Sequence, residues 1–465
     1  MSILTKADAY KYSHFNIFPK NITNNNSYIE SRGIDEESKL PADAEVLFFG
    51  LQIYLKKYLN EKTTKEEIDR MAILMPRAGL PFNKNTWDII VNEFDGYLPV
   101  EIEAIPEGTA IDPSQVMFQV RATDDRFAEI ASFIETSSLR AIWYTTTVAT
   151  LSREVKKIIK LHMLKTCDTL DGLPFKLHDF GARGVSSHES AVNGGLAHLV
   201  NFMGTDTVEA LFGAIDYYNV PLENPVGFSI PASEHSTITS WGRDGELDAY
   251  ENFLDIYGGE GKIISCVSDS YDIYNAVDNL WPSLKDKIVD SGTTLVVRPD
   301  SGDPVTVVIN ILKSLEKSFG YETNSKGYKV LNSVRVIQGD GIDIESLEDI
   351  LNNMTAMGFS TENIAFGMGG ALLQKVNRDT LKFAQKTNAI EKDGEWIDVY
   401  KDPVGSSFKK SKKGRLALIK ENGKFKTIRF DELGDRKNYL EPVWRNGKLL
   451  KDYTFDEVRQ NAEVL

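Results

Sequence analysis

Between about residues 175 and 385 one pattern recurs seven times: a short β-prone apolar run ends abruptly in Gly, Asp, Ser or Arg, and a helix-compatible segment follows. The runs end as KLHDFGARG, HLVNFMGTD, GFSIPASEH, KIISCVSDS, TTLVVRPDSG, VRVIQGDGID and NIAFGMGG. Strands buried on both faces read as unbroken apolar runs, and their alternation with helices predicts a parallel sheet in an α/β layered or barrel fold. In a barrel the polar strand ends collect on the C-terminal rim, where active sites are built. Seven scattered segments thus become one ring of candidate chemistry.

The flanking regions read differently. Residues 1 to about 130 mix helical EVLFFGLQIYLKKYLNEK with strand-like YLPVEIEAIPEGTAI and QVMFQVRATD. A long helical stretch around FIETSSLRAIWYTTTVATLSREVKKIIKLHM then leads into the second region. After about residue 390 come WIDVYKD and RLALIKENGKFKTIRF, in which Asn422-Gly423 between alternating runs is a strong two-residue hairpin signal. Such a hairpin buries little alone, so the tail is expected to pack back on the N-terminal region. The expected domains are an N-terminal α+β domain at 1–150, an α/β barrel at 151–388 and a β-rich C-terminal segment at 389–465.

Composition narrows the function. A formal charge of −15 argues against a surface that coats nucleic acid, because such surfaces replace phosphate counterions with Lys and Arg. Any anionic ligand must be met by a local basic pocket, and KKSKKGR at 409–415 is one local basic run. Only Cys167 and Cys266 are present, in no metal-ligand spacing, which leaves no disulfide scaffold or structural zinc site. MSILTKADAYKYSHF lacks a signal-peptide core, and no window approaches 18 uninterrupted apolar residues. The expectation is a soluble cytoplasmic protein with no membrane partner.

At the strand ends, Arg183, Arg298 and Arg378 are fixed cations suited to phosphate. Asp206, Asp269, Asp300 and Asp340 can accept from amide or hydroxyl donors, or face a magnesium ion. Arginines mixed with aspartates suit a phosphorylated sugar, although mutual neutralisation at loop ends explains any single pair as well. Gly367, Gly369 and Gly370 follow an apolar strand and precede a helix, so their N–H groups could face an anion; close packing of strand on helix is the alternative. The spacing matches neither the dinucleotide fingerprint nor the P-loop. His235 stands among hydroxyls beside Glu234 in IPASEHSTITSWG, and a hydrogen-bonded surface histidine at a helix start would look the same.

HDFGARGVSSHES, GTDTVEAL, IPASEHSTITSWG, VSDSYDIYNA, VVRPDSGDP, VIQGDGIDI, NIAFGMGGALLQK and SKKGRLAL, with DAYKYSHF and YIESRG near the N-terminus, closely resemble in order the segments of the nicotinamide phosphoribosyltransferase family. The resemblance implies an irregular (β/α) barrel of the type II phosphoribosyltransferase kind, plus a second α+β domain built from the N- and C-terminal regions. It implies transfer of the phosphoribosyl group of 5-phosphoribosyl 1-pyrophosphate to nicotinamide, in homodimers with active sites at the interface, with nicotinate phosphoribosyltransferase as the nearest alternative and a non-catalytic nucleotide-binding protein on the same scaffold as a more remote one. By the same resemblance Phe180, and Tyr10 of the partner subunit, sandwich the pyridine ring, Asp206 accepts from the carboxamide, and Ser265 lies near the ring pocket. Arg183, Arg298 and His235 face pyrophosphate, Asp300 the ribose hydroxyls, and Gly339, Asp340, Gly369, Gly370 and Arg378 the nucleotide's ribose and phosphate. Arg32, Lys386, Lys401 and Arg415 match basic positions at a phosphate entrance. ATP is implied as a co-substrate that phosphorylates His235, held by Glu234 or Asp269, and Mg²⁺ is expected near Asp269 and Asp300. Ala182 and His188 depart from the family pattern beside the ring pocket, which puts affinity for the base in question.

Overall fold

The computed structural model describes residues 1–402 and 411–463, so Lys409 and Lys410 of the basic run lie outside the described residues. The chain separates into two compact units. One comprises Leu151–Gly213 and Pro221–Val376, and the other comprises Met1–Thr150, Ala214–Val220 and Asn377–Glu463. The expected boundary at 388 falls inside the strand Phe383–Lys392, which belongs wholly to the second of these units.

The first unit is built on six parallel strands. Their order across the sheet is Gly204–Thr205, Leu177–Asp179, Ile364–Met368, Val334–Gln338, Thr294–Arg298 and Ile263–Val267. Ile264, Cys266, Leu295, Val297, Val336 and Phe366 are all fully buried, as the apolar runs require. A seventh stave, residues 228–232, joins the two ends of this sheet. Phe228 forms a parallel bridge with Gly204, and Ala232 forms one with Ser265. Thr205 N–H donates to Phe228 O (3.0 Å) and Ser265 N–H to Pro231 O (2.9 Å), so the sheet closes into an irregular barrel.

Helices follow the strands, each started by a local device. Asp303 accepts from Thr306 N–H (2.8 Å) ahead of the proline that begins Pro304–Phe319. Asp343 and Ser346 form a capping box at Ile344–Ala356, and Ser187 caps His188–Leu199. These caps stop each loop just past the strand end and hold the rim in place.

The second unit is a seven-stranded antiparallel sheet whose strands come from both chain ends. Ile22–Ser31 lies between Phe383–Lys392 and Phe118–Ala122, and Glu441–Arg445 pairs with Val100–Ala104. The predicted hairpin is present as Leu416–Glu421 and Lys424–Arg429, with Asn422 and Gly423 both at positive φ (52° and 83°), as a two-residue turn of this kind demands. The expected helix over 45–62 begins only at Leu51. Val46–Leu47 is a short strand paired with Ala110–Ile111, and Gly50, at φ +97°, turns the chain where a Cβ would strike the Thr145 side chain.

At the start of that helix lies a buried polar cluster. Glu107, 1% exposed, accepts from Gln52 N–H (2.7 Å) and Tyr218 O–H (2.6 Å), with Gly50 and Leu51 N–H also directed at it. The Gln52 amide in turn donates to Tyr217 O and Tyr453 O and accepts from Tyr453 N–H. The long helix Glu135–Thr166 contains the division at Thr150/Leu151, and no helix of the described residues is long and apolar enough to cross a membrane.

Candidate active site

The barrel rim brings several of the strand-end residues together. Phe180, one residue past Leu177–Asp179, packs closely against backbone supplied by glycine. A Cβ on Gly367 would sit 2.0 Å from the ring's Cε2, and one on Gly339 would sit 3.0 Å away. Gly367 therefore belongs to a strand and makes room for an aromatic ring, which corrects its reading as an anion donor. The Arg298 guanidinium lies 5.5 Å from the centre of the same ring, a cation–π contact.

Phe180, Asp206 and Arg298 form a shared wall between two cavities of this unit. One, of about 320 Å³, runs inside the barrel past Ser265 and Ile337 to Lys176, Arg335 and Glu362. The other, of about 710 Å³, opens at the rim and is lined by Arg183, Asp300, Asp340, Gly369 and Gly370 among others. Arg183 is exposed, with no hydrogen bond or ion pair among the described residues. Asp206 accepts from Ser229 O–H through Oδ1 (2.6 Å), which leaves its second oxygen for a ligand donor.

His235 begins the helix His235–Thr239 and stands among acceptors. Its Nδ1 is 3.1 Å from Ser270 Oγ, while Nε2 faces Asp300 Oδ2 at 3.5 Å and Asp269 Oδ1 at 3.7 Å. Of the two candidate holders it is Asp269, joined by Asp300, that faces the ring. Glu234 is committed to the helix start, accepting from the Ser236 hydroxyl and closing a capping box with Thr237. Asp269 is fixed from its other side: Oδ2 accepts from Asp300 N–H (2.9 Å) and Ser301 O–H (2.6 Å). Arg298 donates to Asp300 Oδ1 (3.0 Å), which completes a line Arg298–Asp300–His235–Asp269.

Three buried polar atoms here have no hydrogen-bond partner among the described residues: Asp269 Oδ1, Arg298 Nε and Gln338 Oε1. Buried polar groups are almost always satisfied, so atoms left open at one rim mark where a polar ligand completes the structure. Among the described residues no group of three His, Cys, Asp or Glu side chains is arranged to hold a metal ion. A pair such as Asp269 and Asp300 still suits magnesium, which takes one or two carboxylates and fills its shell with water and phosphate oxygens.

Lys176, Arg335 and Glu362 line the inner cavity, and none of them stands at the C-terminal end of a strand. Lys176 Nζ donates to the carbonyls of Thr361, Glu362 and Ile364 at 2.8–3.2 Å, and burial pulls its pKa down to about 8. Its signal is only that a lysine precedes an apolar strand. Asp179, inside HDFGARG, gives no sequence signal of its own; it is fully buried, and burial pushes its carboxyl up to about 6.

The other candidates belong to the antiparallel unit. There Arg32 pairs with Glu30 (3.3 Å), Lys386 with Glu135 (3.7 Å) and Arg378 with Asp379 (3.1 Å). Arg415 stacks over Phe430 at 4.3 Å and Trp396 at 5.0 Å. Lys386 is pulled below the usual lysine range, first by burial and then by Arg32, Lys11 and Lys401, against the opposing pull of Glu135. Tyr10 is exposed, with its ring 5.2 Å from that of His14.

Comparison with known proteins agrees with this geometry. Residues 175–448 match the nicotinate phosphoribosyltransferase (NAPRTase) family, and residues 2–102 match the nicotinamide phosphoribosyltransferase N-terminal domain. A nicotinamide phosphoribosyltransferase of Xanthomonas campestris pv. campestris (strain 8004) is 48% identical over 471 residues, covering 100% of this chain and 98% of that protein. Two solved structures share the fold. They are a nicotinate-nucleotide pyrophosphorylase from Pyrococcus furiosus (TM-score 0.64, 16% identity, 99% of this chain and 94% of that one) and human nicotinic acid phosphoribosyltransferase (TM-score 0.58, 14% identity, 98% and 92%). With an irregular α/β barrel, a second α+β domain drawn from both chain ends and a full-length relative at this identity, the chain belongs to the nicotinamide phosphoribosyltransferase family.

Proposed function

We propose that this enzyme transfers the 5-phosphoribosyl group from 5-phosphoribosyl 1-pyrophosphate to nicotinamide, giving nicotinamide mononucleotide and pyrophosphate in NAD salvage. The observation that carries the reading is the shared wall of Phe180, Asp206 and Arg298, with a cavity for a ring on one side and a polar rim on the other. The ring of nicotinamide stacks on Phe180, and its carboxamide N–H donates to the open oxygen of Asp206. Pyrophosphate lies toward Arg183 and Arg298, and the ribose hydroxyls donate to Asp300.

As the bond from the anomeric carbon to pyrophosphate lengthens, positive charge builds on the ribose ring, as in glycosyl transfer generally. The pyridine nitrogen then closes on the same carbon. Little proton transfer is involved, so alignment and stabilisation of the leaving group dominate. Arg298 is pre-aligned for this by Asp300 and by the Phe180 face. Asp269 and Asp300 are the residues that would hold Mg²⁺, which neutralises phosphate charge when bound.

ATP is the expected co-substrate, with His235 as the phosphoryl acceptor. Both carboxylates face Nε2, so a proton held there leaves the Nδ1 lone pair, beside Ser270, to take the γ-phosphoryl group as ADP leaves. The proposal extends to a cytoplasmic homodimer in which Tyr10 of a second copy covers the ring; two buried cysteines in no disulfide fit a reducing compartment.

Amide is distinguished from acid by charge. A nicotinate carboxylate about 4 Å from Asp206 would be repelled by about 4 kcal/mol at an effective dielectric of about 20. The test is incubation with nicotinamide or nicotinate, 5-phosphoribosyl 1-pyrophosphate and Mg²⁺, with and without ATP, following mononucleotide and pyrophosphate. Mononucleotide from nicotinamide, formed faster with ATP, is the expected result. No product from nicotinamide would overturn the reading, and comparable kcat/KM for the two bases would overturn the role of Asp206.

A further inference from the structure

Asp179 is fully buried, and among the described residues its carboxylate faces no cation within ion-pair distance. Its contacts all lead to the two strand ends that carry Phe180 and Asp206. Oδ1 accepts from Gly181 N–H (2.7 Å), on the far side of Phe180, and Oδ2 accepts from Thr207 O–H (2.7 Å), next to Asp206. The Asp179 backbone carbonyl accepts from Asp206 N–H (3.0 Å). A third element makes space for this: a Cβ on Gly195, in the helix His188–Leu199, would come within 3.3 Å of Asp179 Oδ2 and 2.7 Å of the Ala210 side chain.

We propose that Asp179 is a positioning residue for the base, a two-pronged acceptor that sets the spacing between the Phe180 ring and the Asp206 carboxylate. This rests on the functional reading above. A base that stacks on one residue and bonds to the other feels that spacing directly, whereas the sugar pyrophosphate, held by Arg183, Arg298 and Asp300, feels it only through the Phe180 face beside Arg298 and the loop that follows Gly181, and so less strongly. A buried carboxylate with hydrogen bonds but no cation beside it is costly to keep. The cost has a reason if both prongs are needed, since Gly181 N–H can only donate and a side chain without two heteroatoms cannot reach both partners. Asparagine can do so as well, with its oxygen on Gly181 N–H and its amide donating to the Thr207 hydroxyl, which also accepts.

The experiment is steady-state kinetics of Asp179→Ala, Asp179→Asn and Thr207→Val beside the unmutated enzyme, varying each substrate in turn. Asp179→Ala is expected to raise KM for nicotinamide about tenfold, with kcat and KM for 5-phosphoribosyl 1-pyrophosphate within about twofold. Thr207→Val, which removes one prong only, is expected to raise it about threefold and serves if the alanine variant does not fold. Asp179→Asn is expected to restore nicotinamide KM to within about twofold of the unmutated value. A nicotinamide KM unchanged in both Asp179→Ala and Thr207→Val overturns the inference, as does a parallel rise in both KM values or a failure of asparagine to rescue. If the unmutated enzyme itself makes no mononucleotide, it is the functional reading that fails.

Discussion

Glu107 and Asp269 are both carboxylates taken almost completely out of water, and the molecule treats them in opposite ways. In the antiparallel unit Glu107 has both oxygens occupied by N–H and O–H donors and its neighbour Gln52 is satisfied at every amide atom. On the barrel rim Asp269 has one oxygen tied to Asp300 and Ser301 and the other left facing a histidine beyond hydrogen-bond reach. The occupied oxygens of Glu107 tie separate segments of the fold together, whereas the open oxygen of Asp269 is an acceptor available to a ligand. Burial alone therefore does not separate structural from chemical carboxylates; the inventory of donors does.

That contrast can be tested by mutation, beginning at the rim. Arg298→Met is expected to lower kcat/KM for mononucleotide synthesis by about 10²–10³, the scale of losing a pre-aligned donor to a developing anion, with little change in Tm. A loss below tenfold would mean that Arg298 serves Asp300 and Phe180 rather than the leaving group. His235→Ala is expected to abolish ATP turnover while slow ATP-independent synthesis persists; normal ATP hydrolysis by this variant would remove the histidine from the scheme. Asp206→Asn is expected to narrow the kcat/KM preference for nicotinamide over nicotinate by about tenfold or more, because the like-charge penalty disappears. An unchanged ratio would place the discrimination elsewhere.

Glu107 offers the smallest effect and the opposite kind of readout. Burial raises its pKa from 4.5 to about 7, so between those values the folded chain binds a proton that the unfolded chain has released. Stability from this group is then full below about pH 4.5 and declines as pH rises toward 7, by at most about 1.4 kcal/mol per pH unit. Glu107→Gln should flatten the fall of Tm over that window and leave kcat untouched. An identical pH slope in the variant would show that the donors around Glu107 offset its burial completely.

Much of the barrel was legible because its physics is local. Five of the seven runs are largely buried strands ended by a polar turn, whereas HLVNF closes the helix His188–Leu199 ahead of the two-residue strand Gly204–Thr205 and 228–232 is a largely exposed stave whose proline makes it an unpromising strand; all seven segments still meet around one ring. The hairpin at Asn422-Gly423 was legible for the same reason: two residues at positive φ leave a compositional trace. The antiparallel sheet was not, since placing Ile22–Ser31 between Phe118–Ala122 and Phe383–Lys392 depends on partners about 90 and 360 residues away. Nor was the use of Gly367 against the Phe180 ring, or of Asp179 as a link between strand ends. Both depend on what stands opposite in space, and a single sequence carries no mark of that.

The stave at 228–232 is attached to its neighbours by only two bridges, where the other junctions of the barrel have longer ladders on at least one side. It also carries Ser229, which steadies Asp206, and leads directly into His235. The least tightly stitched seam of the cylinder thus borders both the recognition of the base and the phosphoryl acceptor, so amide exchange in apoenzyme is expected to begin there, and ligands that close the rim should slow it first.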